Sequence, residues 1–414
     1  MTPKNYAKSD EKNMWDQSIS GVNRVIEGVA GRVPLFRSLR DSFRLGDDKM
    51  IDWDQSERIA EILANSDGEQ PVPVSGQIQE DFDRMAEQSR EMVASFTGLP
   101  VREPLGPVYV FDRPAWVRAN LQGFKLIFEP LSESYQAALE KFSKQRKGQG
   151  LQKRLMRGVL TIQIGLVMGY LSRSVLGQFD LGIPDLESGG KLYIVMPNML
   201  KAERKMALNP ADFRLWITLH EVTHAVEFQA SPWLRTYMKD LMDQYFRTVA
   251  LRLEDLGTRL KPENLGDASS LQEIVKQGGL VSLVSTPEQR EILGRIQAFM
   301  SLIEGYSNLV MDSVGEKVLP SYKEMSMAFR RRQETKTGAE RLVQRMLGFD
   351  LKLRQYQVGE LFCREVTERE GLDFLHRVWL RPENLPGSEE IVKPYLWIER
   401  VKREGAERIL HYDV

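Results

Sequence analysis

Apolar residues recur at steps of three and four along most of this chain, the spacing that gives a helix one buried face. The pattern predicts helices over Gln79 to Phe96, Trp116 to Lys141, Ser231 to Leu260 and Ala339 to Val366, with helices and loops over residues 14–44. In the third of these, Trp233, Leu234, Tyr237, Met238, Leu241 and Tyr245 share a side, as core packing requires. Another helix begins at Thr286, where Pro287 takes the first helical position and Gln289 completes a capping-box pattern. Ile292, Ile296, Phe299, Ile303, Tyr306 and Val310 carry it toward an end near Gly315. Val159 to Leu171 is almost continuously apolar, but its 13 residues fall short of the ~20 that span a bilayer, so it reads as a buried helix. Lys191 to Met196 (KLYIVM) is the clearest strand, a β-branched and aromatic run stopped by Pro197, and its edge would suit an extended substrate. Asn65 to Gln77 is a linker or loop, and Pro382 to Pro394 is a turn-rich connection before a last short helix around Trp397. The chain is therefore mainly α with a small β-sheet.

Charge and composition narrow the function classes. With 57 basic and 58 acidic residues the net charge is −1, which gives no general attraction to nucleic acid or an anionic membrane. The basic stretch Lys144 to Arg157 contains GQG but no third glycine or preceding strand, so it reads as a solvated helix start. Arg330-Arg331-Arg332 reads as a solvated face. A single cysteine, Cys363, excludes an intramolecular disulfide, and the opening MTPKNYAKSDEKN has no apolar signal segment. Both point to a cytoplasmic protein without a membrane span.

The chemistry is concentrated in His220-Glu-Val-Thr-His224. Only four histidines occur in the chain, and chance would produce this pattern about 0.003 times in such a composition. On a helix, positions i and i+4 share a face, so both imidazoles can reach one Zn²⁺ at about 2.0–2.1 Å. Glu221 is rotated about 100° from His220 and stands beside the metal, placed to take a proton from water. The helix itself is signalled by Asn209 as N-cap, Pro210 at its first position and Asp212 in its first turn. Phe213, Trp216, Ile217 and Phe228 share the histidine face and turn it inward.

Catalytic zinc generally takes three protein ligands and leaves a position open. Positions 227 and 230, where a longer single-helix metal motif would carry glycine and a third histidine, hold Glu227 and Ala230. Glu304, on the edge of an apolar helix face, is the best third ligand because a carboxylate there needs a partner. Gly305 costs about 1 kcal/mol of helix propensity relative to alanine, which points to a closely approaching helix. Glu227 would have to span two turns to reach the metal, so it reads as a supporting or surface residue.

These residues resemble those of the gluzincins, the thermolysin-like zinc metallopeptidases: HEVTHAV is similar to their metal-binding helix, and Glu304 to their third ligand. The resemblance implies that Asn308 or Asp312 orients the site, although about 80 residues separate His224 from Glu304, far more than is usual there. A whole-chain resemblance links VFDRPAWVRANL (110–121), HEVTHAVEF (220–228), LIEGYSNLVMD (302–312), RMLGFDLKLRQYQVGELF (345–362) and RVWLRPENLP (377–386) to an uncharacterised bacterial zincin-like hydrolase family. That family's name associates it with deazaflavin coenzyme biosynthesis. The resemblances imply a zincin-like metallopeptidase core, over residues 111–320, with a helical insertion at 231–285. Helical regions at 1–110 and 321–414 would flank it.

The resulting expectation is a zinc-dependent hydrolase acting on a peptide or small amide. His220, His224 and Glu304 would hold Zn²⁺, with Glu221 as general base. Tyr306, Tyr356 and Arg354 are the candidate oxyanion donors. The alternatives are a noncatalytic zincin-like scaffold or peptide-binding protein, and an accessory protein of deazaflavin coenzyme metabolism.

Overall fold

The computed structural model describes residues 50–68, 75–101, 105–143, 149–182, 190–259, 286–334 and 352–412. The helices expected over residues 14–44 lie outside them. In chain order the elements are α1 (Trp53–Ala64), α2 (Gly76–Thr97), β1 (Val108–Phe111), α3 (Arg113–Ser143), α4 (Gln149–Leu171), β2 (Gly177–Asp180) and β3 (Lys191–Val195). They continue with α5 (Met196–Met206), α6 (Pro210–Ala230), α7 (Trp233–Arg259), α8 (Pro287–Val318), α9 (Tyr322–Glu334) and α10 (Lys352–Glu370). A short α11 (Leu372–Leu375), two 3₁₀ turns and α12 (Pro394–Tyr412) complete the described chain. Mainly helical with a small sheet is the architecture observed. The last helix runs 19 residues rather than being short, because its Trp397, Ile398 and Val401 find a core to pack against.

The sheet has the order β1-β3-β2. β1 pairs parallel to β3, with Val108 opposite Leu192 and Phe111 opposite Val195, while β2 pairs antiparallel, with Gly177 opposite Ile194 and Asp180 opposite Lys191. β3 is therefore central, and its continuous apolar run follows from burial on both faces. Leu192 and Ile194 join the main core with α2, α6 and α8, whereas Tyr193 and Val195 pack with Ala60, Trp116 and Met168 from α1, α3 and α4. Residues 191–196 thus offer no free edge. The outer edge near α6 belongs to β2.

The apolar run in α4 is explained by close helix packing. A Cβ on Gly165 would stand 2.7 Å from Ile59 Cβ, and one on Gly169 would stand 2.6 Å from Leu63 Cβ, so α4 lies against α1. Beneath that contact Arg113, 3% exposed, donates to Asp67 and to the Ala64 carbonyl through Nη1, and to Asn198 through Nε. This fastens the α3 start and the chain after β3 to the end of α1.

A second close crossing sets the position of α8. A Cβ on Gly305 would lie 2.1 Å from the Gly359 carbonyl carbon, and one on Gly359 would lie 1.8 Å from the Ser301 carbonyl oxygen. Gly305 thus costs helix propensity in exchange for backbone contact with α10. The C-terminal segment also reaches the end of α6: Ser231 Oγ and Trp233 Nε1 donate to the Trp379 carbonyl at 2.8 and 3.0 Å. Trp397 is fully buried between Phe362 and Phe374, and its indole N–H donates to the Asn384 carbonyl at 2.7 Å.

Overpacking of this kind costs about 1–3 kcal/mol. Gly359→Ala is expected to lower the free energy of unfolding by at least that amount, read as a fall in the urea midpoint at an unchanged slope. An unchanged midpoint would mean that α8 and α10 do not touch as described.

Candidate metal centre

The local sequence starts α6 where the caps require. Asn209 Oδ1 accepts the Ala211 and Asp212 N–H groups at 3.0 and 3.2 Å, and Pro210 occupies the first helical turn. The Asp212 carboxylate accepts the Ser321 N–H and hydroxyl at 2.8 and 2.6 Å, which ties this first turn to the chain leaving α8. α8 starts with the Thr286–Gln289 capping box and runs to Val318, three residues past Gly315, since Val314 and Leu319 remain in the core. The two helices are fixed against each other at more than one point.

One turn apart on α6, the rings of His220 and His224 are nearly perpendicular, with centroids 4.8 Å apart. Glu304 approaches from α8, its Oε2 lying 3.5 Å from His220 Nε2 and 3.9 Å from His224 Nε2. One ligand atom from each residue lies within 4.8 Å of the others. Tetrahedral ligation at zinc bond lengths separates donors by roughly 3.4 Å, so contraction by about 0.1 Å to about 1.4 Å closes the set on an ion. The three side chains are 10–20% exposed, so the donors face a shielded position that solvent can still enter.

The far side of His224 is held as a ligand requires. Its Nδ1 lies 3.2 Å from Glu227 Oε2 and 3.0 Å from Ser307 Oγ, and the Ser307 hydroxyl donates to Glu227 Oε1 at 3.2 Å. With Ser307 donating to one carboxylate oxygen, Nδ1–H donates to the other, which leaves Nε2 as the ring nitrogen facing Glu304. Glu227 and Ser307 are both fully buried. Sequence reasoning reduced Glu227 to a supporting or surface position and gave Ser307 no role. The signal available was spacing: Glu227 is i+3 from His224, and Ser307 is i+3 from Glu304.

Glu221 is turned toward β2. Its Oε2 accepts the Phe179 N–H at 2.8 Å, and a Cβ on Gly177 would come within 2.7 Å of Glu221 Cγ and 2.9 Å of Oε1. Glycine at 177 therefore makes room for the carboxylate. Burial raises the Glu221 pKa, opposed by His220, His224 and the Phe179 N–H and reinforced by Glu304. Burial likewise raises Glu227 against the pull of His224 and Ser307.

For His224, burial works against the cation but is outweighed by the Glu227 hydrogen bond and by the charges of Glu227, Glu304 and Glu221, which push its pKa up to about 9. Three carboxylates around two imidazoles make a site that favours a cation, and the nitrogen and oxygen donors suit a borderline metal such as zinc.

The other expected site residues fall elsewhere. Tyr306 is fully buried with its hydroxyl 2.8 Å from His376 Nε2, because two helical steps rotate it about 200° from Glu304. Asp312, roughly 12 Å further along the helix axis than Glu304, accepts the Tyr322 hydroxyl and lies 3.9 Å from Arg364. Asn308 is half-buried and makes no hydrogen bond to either imidazole. Tyr356 and Arg354 sit on α10, but their side chains lie outside the described residues. Of the arginine run on α9, Arg331 is exposed.

A family model for zincin-like metallopeptidases matches residues 51–398. Among solved structures the chain is similar to that of a "putative hydrolase with a novel fold" from Chloroflexus aurantiacus, at 36% identity and a TM-score of 0.63, covering 85% of this chain and 99% of that one. No curated protein matches the chain. Among the described residues, no helix is long and apolar enough to cross a membrane.

Two outcomes follow for metal binding. The His224 pKa is raised, so in the metal-free protein the stabilisation from its protonated ring is complete below about 6.5 and is lost as pH rises through about 9. Zinc uptake between those values displaces that proton, so affinity should rise about tenfold per pH unit. Calorimetry in buffers of different ionisation enthalpy should register the released proton. Glu227→Ala should weaken zinc binding by about 10–100-fold, because nothing then fixes the His224 tautomer; an unchanged affinity in competition with a chelator would count against that role.

Proposed function

The chain belongs to the zincin-like metallopeptidase family, and on that premise we propose that it is a zinc-dependent hydrolase that cleaves peptide or amide bonds. The observation carrying this reading is the approach of His220 Nε2, His224 Nε2 and Glu304 Oε2 to one another, with the Glu221 carboxylate in electrostatic reach of all three residues. His220, His224 and Glu304 would hold the ion, which when bound supplies Lewis acidity to a substrate carbonyl and acidifies water.

The protein's own groups account for the rest. Glu221 acts as general base at Oε1, since Oε2 is engaged by the Phe179 N–H. Burial raises its proton affinity, which suits a group that takes a proton from the attacking water and delivers it to the departing amine. The hydrogen bond to β2 limits the carboxylate's rotation, so the base is oriented before substrate arrives. Glu227 and Ser307 position His224. An extended substrate would lie along the outer side of β2, close to Glu221. A noncatalytic scaffold has no use for an oriented, desolvated base at this place.

Glu221→Gln keeps the side-chain volume and removes the basic oxygen. Zinc content should be unchanged while turnover of a cleaved peptide falls by on the order of 10²–10⁴. Equal hydrolysis by the two proteins at equal zinc content would overturn the assignment.

A further inference from the structure

Arg235 stands one turn into α7, just after the metal-bearing helix ends, and it is half-buried. Its Nε is shielded from solvent without a partner, and among the described residues its guanidinium makes no hydrogen bond or ion pair. Burial depresses its pKa. The other well-buried arginines are paired: Arg113 with Asp67, Arg214 with Glu203 and Arg400 with Glu390. The nearby Asp180 favours the cation through its charge but makes no hydrogen bond to it, its oxygens accepting the Tyr193 hydroxyl at 2.8 Å and the Gly182 N–H at 3.1 Å. A partly buried guanidinium whose Nε is shielded and unbonded has donors to spare, and a planar carboxylate is the partner its fork fits.

Its location connects it to the reaction. Arg235 Nη2 lies 3.1 Å from where a Cβ on Gly190 would stand, and the same point is 2.1 Å from the tip of the Phe179 ring. Phe179 is the residue whose N–H is held by Glu221. Base and guanidinium therefore flank opposite ends of one phenylalanine, a separation of roughly three or four residues of extended chain at about 3.3 Å each.

We propose that Arg235 recognises a substrate carboxylate, so that the site prefers peptides or amides bearing an acidic side chain or a free C-terminus within about three or four residues of the bond attacked. The position relative to that bond rests on the hydrolase reading above. The carboxylate contact itself does not depend on turnover.

The test is binding, measured on the zinc-loaded Glu221→Gln variant by fluorescence anisotropy. The probes are labelled alanine-based hexapeptides in matched pairs: internal Glu against Gln at each position, and free C-terminal carboxylate against C-terminal amide. At least one acidic form should bind about 10–100-fold more tightly than its neutral counterpart, and the responding pair tells side chain from terminus. Adding Arg235→Gln should bring the acidic peptide down to its neutral counterpart, whereas Arg235→Lys should keep part of the preference because charge remains without the fork. Equal binding of acidic and neutral forms, including no detectable binding of either, overturns the inference, as does a preference that survives Arg235→Gln. Failure of the hydrolase reading appears separately, as absence of cleavage by the zinc-loaded wild-type protein while the binding difference persists.

Discussion

The buried contact in which Glu227 and Ser307 grip the back of His224 is the interaction on which the centre depends. It lies between α6 and α8, so it both joins the helices and sets which imidazole nitrogen faces Glu304. A carboxylate with no exposure is costly unless every oxygen is engaged, and here one oxygen meets an imidazole and the other a hydroxyl. Losing either partner would leave charge buried and uncompensated. The network therefore specifies a single registration of the two helices, and the apolar packing around it supplies the bulk of the stability.

How much of this was legible in the sequence depends on how local each feature is. The Asn209 and Thr286 caps are written within four residues and appear as read. The pairing of His220 with His224 follows from the helical repeat alone, and Glu304 stood out as a carboxylate beside an apolar stripe. Gly305 signalled a close helix but not which one, because its partner Gly359 lies on a separate element. β1 and β2 are four residues each, too short for alternation to register, so the central place of β3 was hidden and its edge was misjudged. Glu227 and Ser307 look like ordinary polar helix residues until two helices are brought together. Tyr306 illustrates the opposite case, since helical rotation alone separates it from the face of Glu304.

The surroundings of Glu221 show how a sheet of three short strands contributes to chemistry. Phe179 engages the carboxylate through its backbone and packs its ring 5.9 Å from that of Phe228, two helical turns beyond Glu221. The outer edge of β2 is thereby satisfied at one position by a side chain of α6, which also limits pairing with a second copy of the strand. Burial of the same carboxylate raises its proton affinity. Orientation and basicity thus have one structural source.

Two of the three donors at the centre are neighbours along the chain, whereas the third arrives about 80 residues later. Closing a loop of that length has an entropic cost that grows only slowly with its size, and the packing of α8 on α6 and α10 offsets it before any ion is needed. A half-site of two imidazoles on an isolated helix would hold metal weakly and in no defined geometry. In the order of events during synthesis, then, a metal held by these three donors would be a late arrival, captured only after the C-terminal helices have docked, and its retention would report that folding is complete.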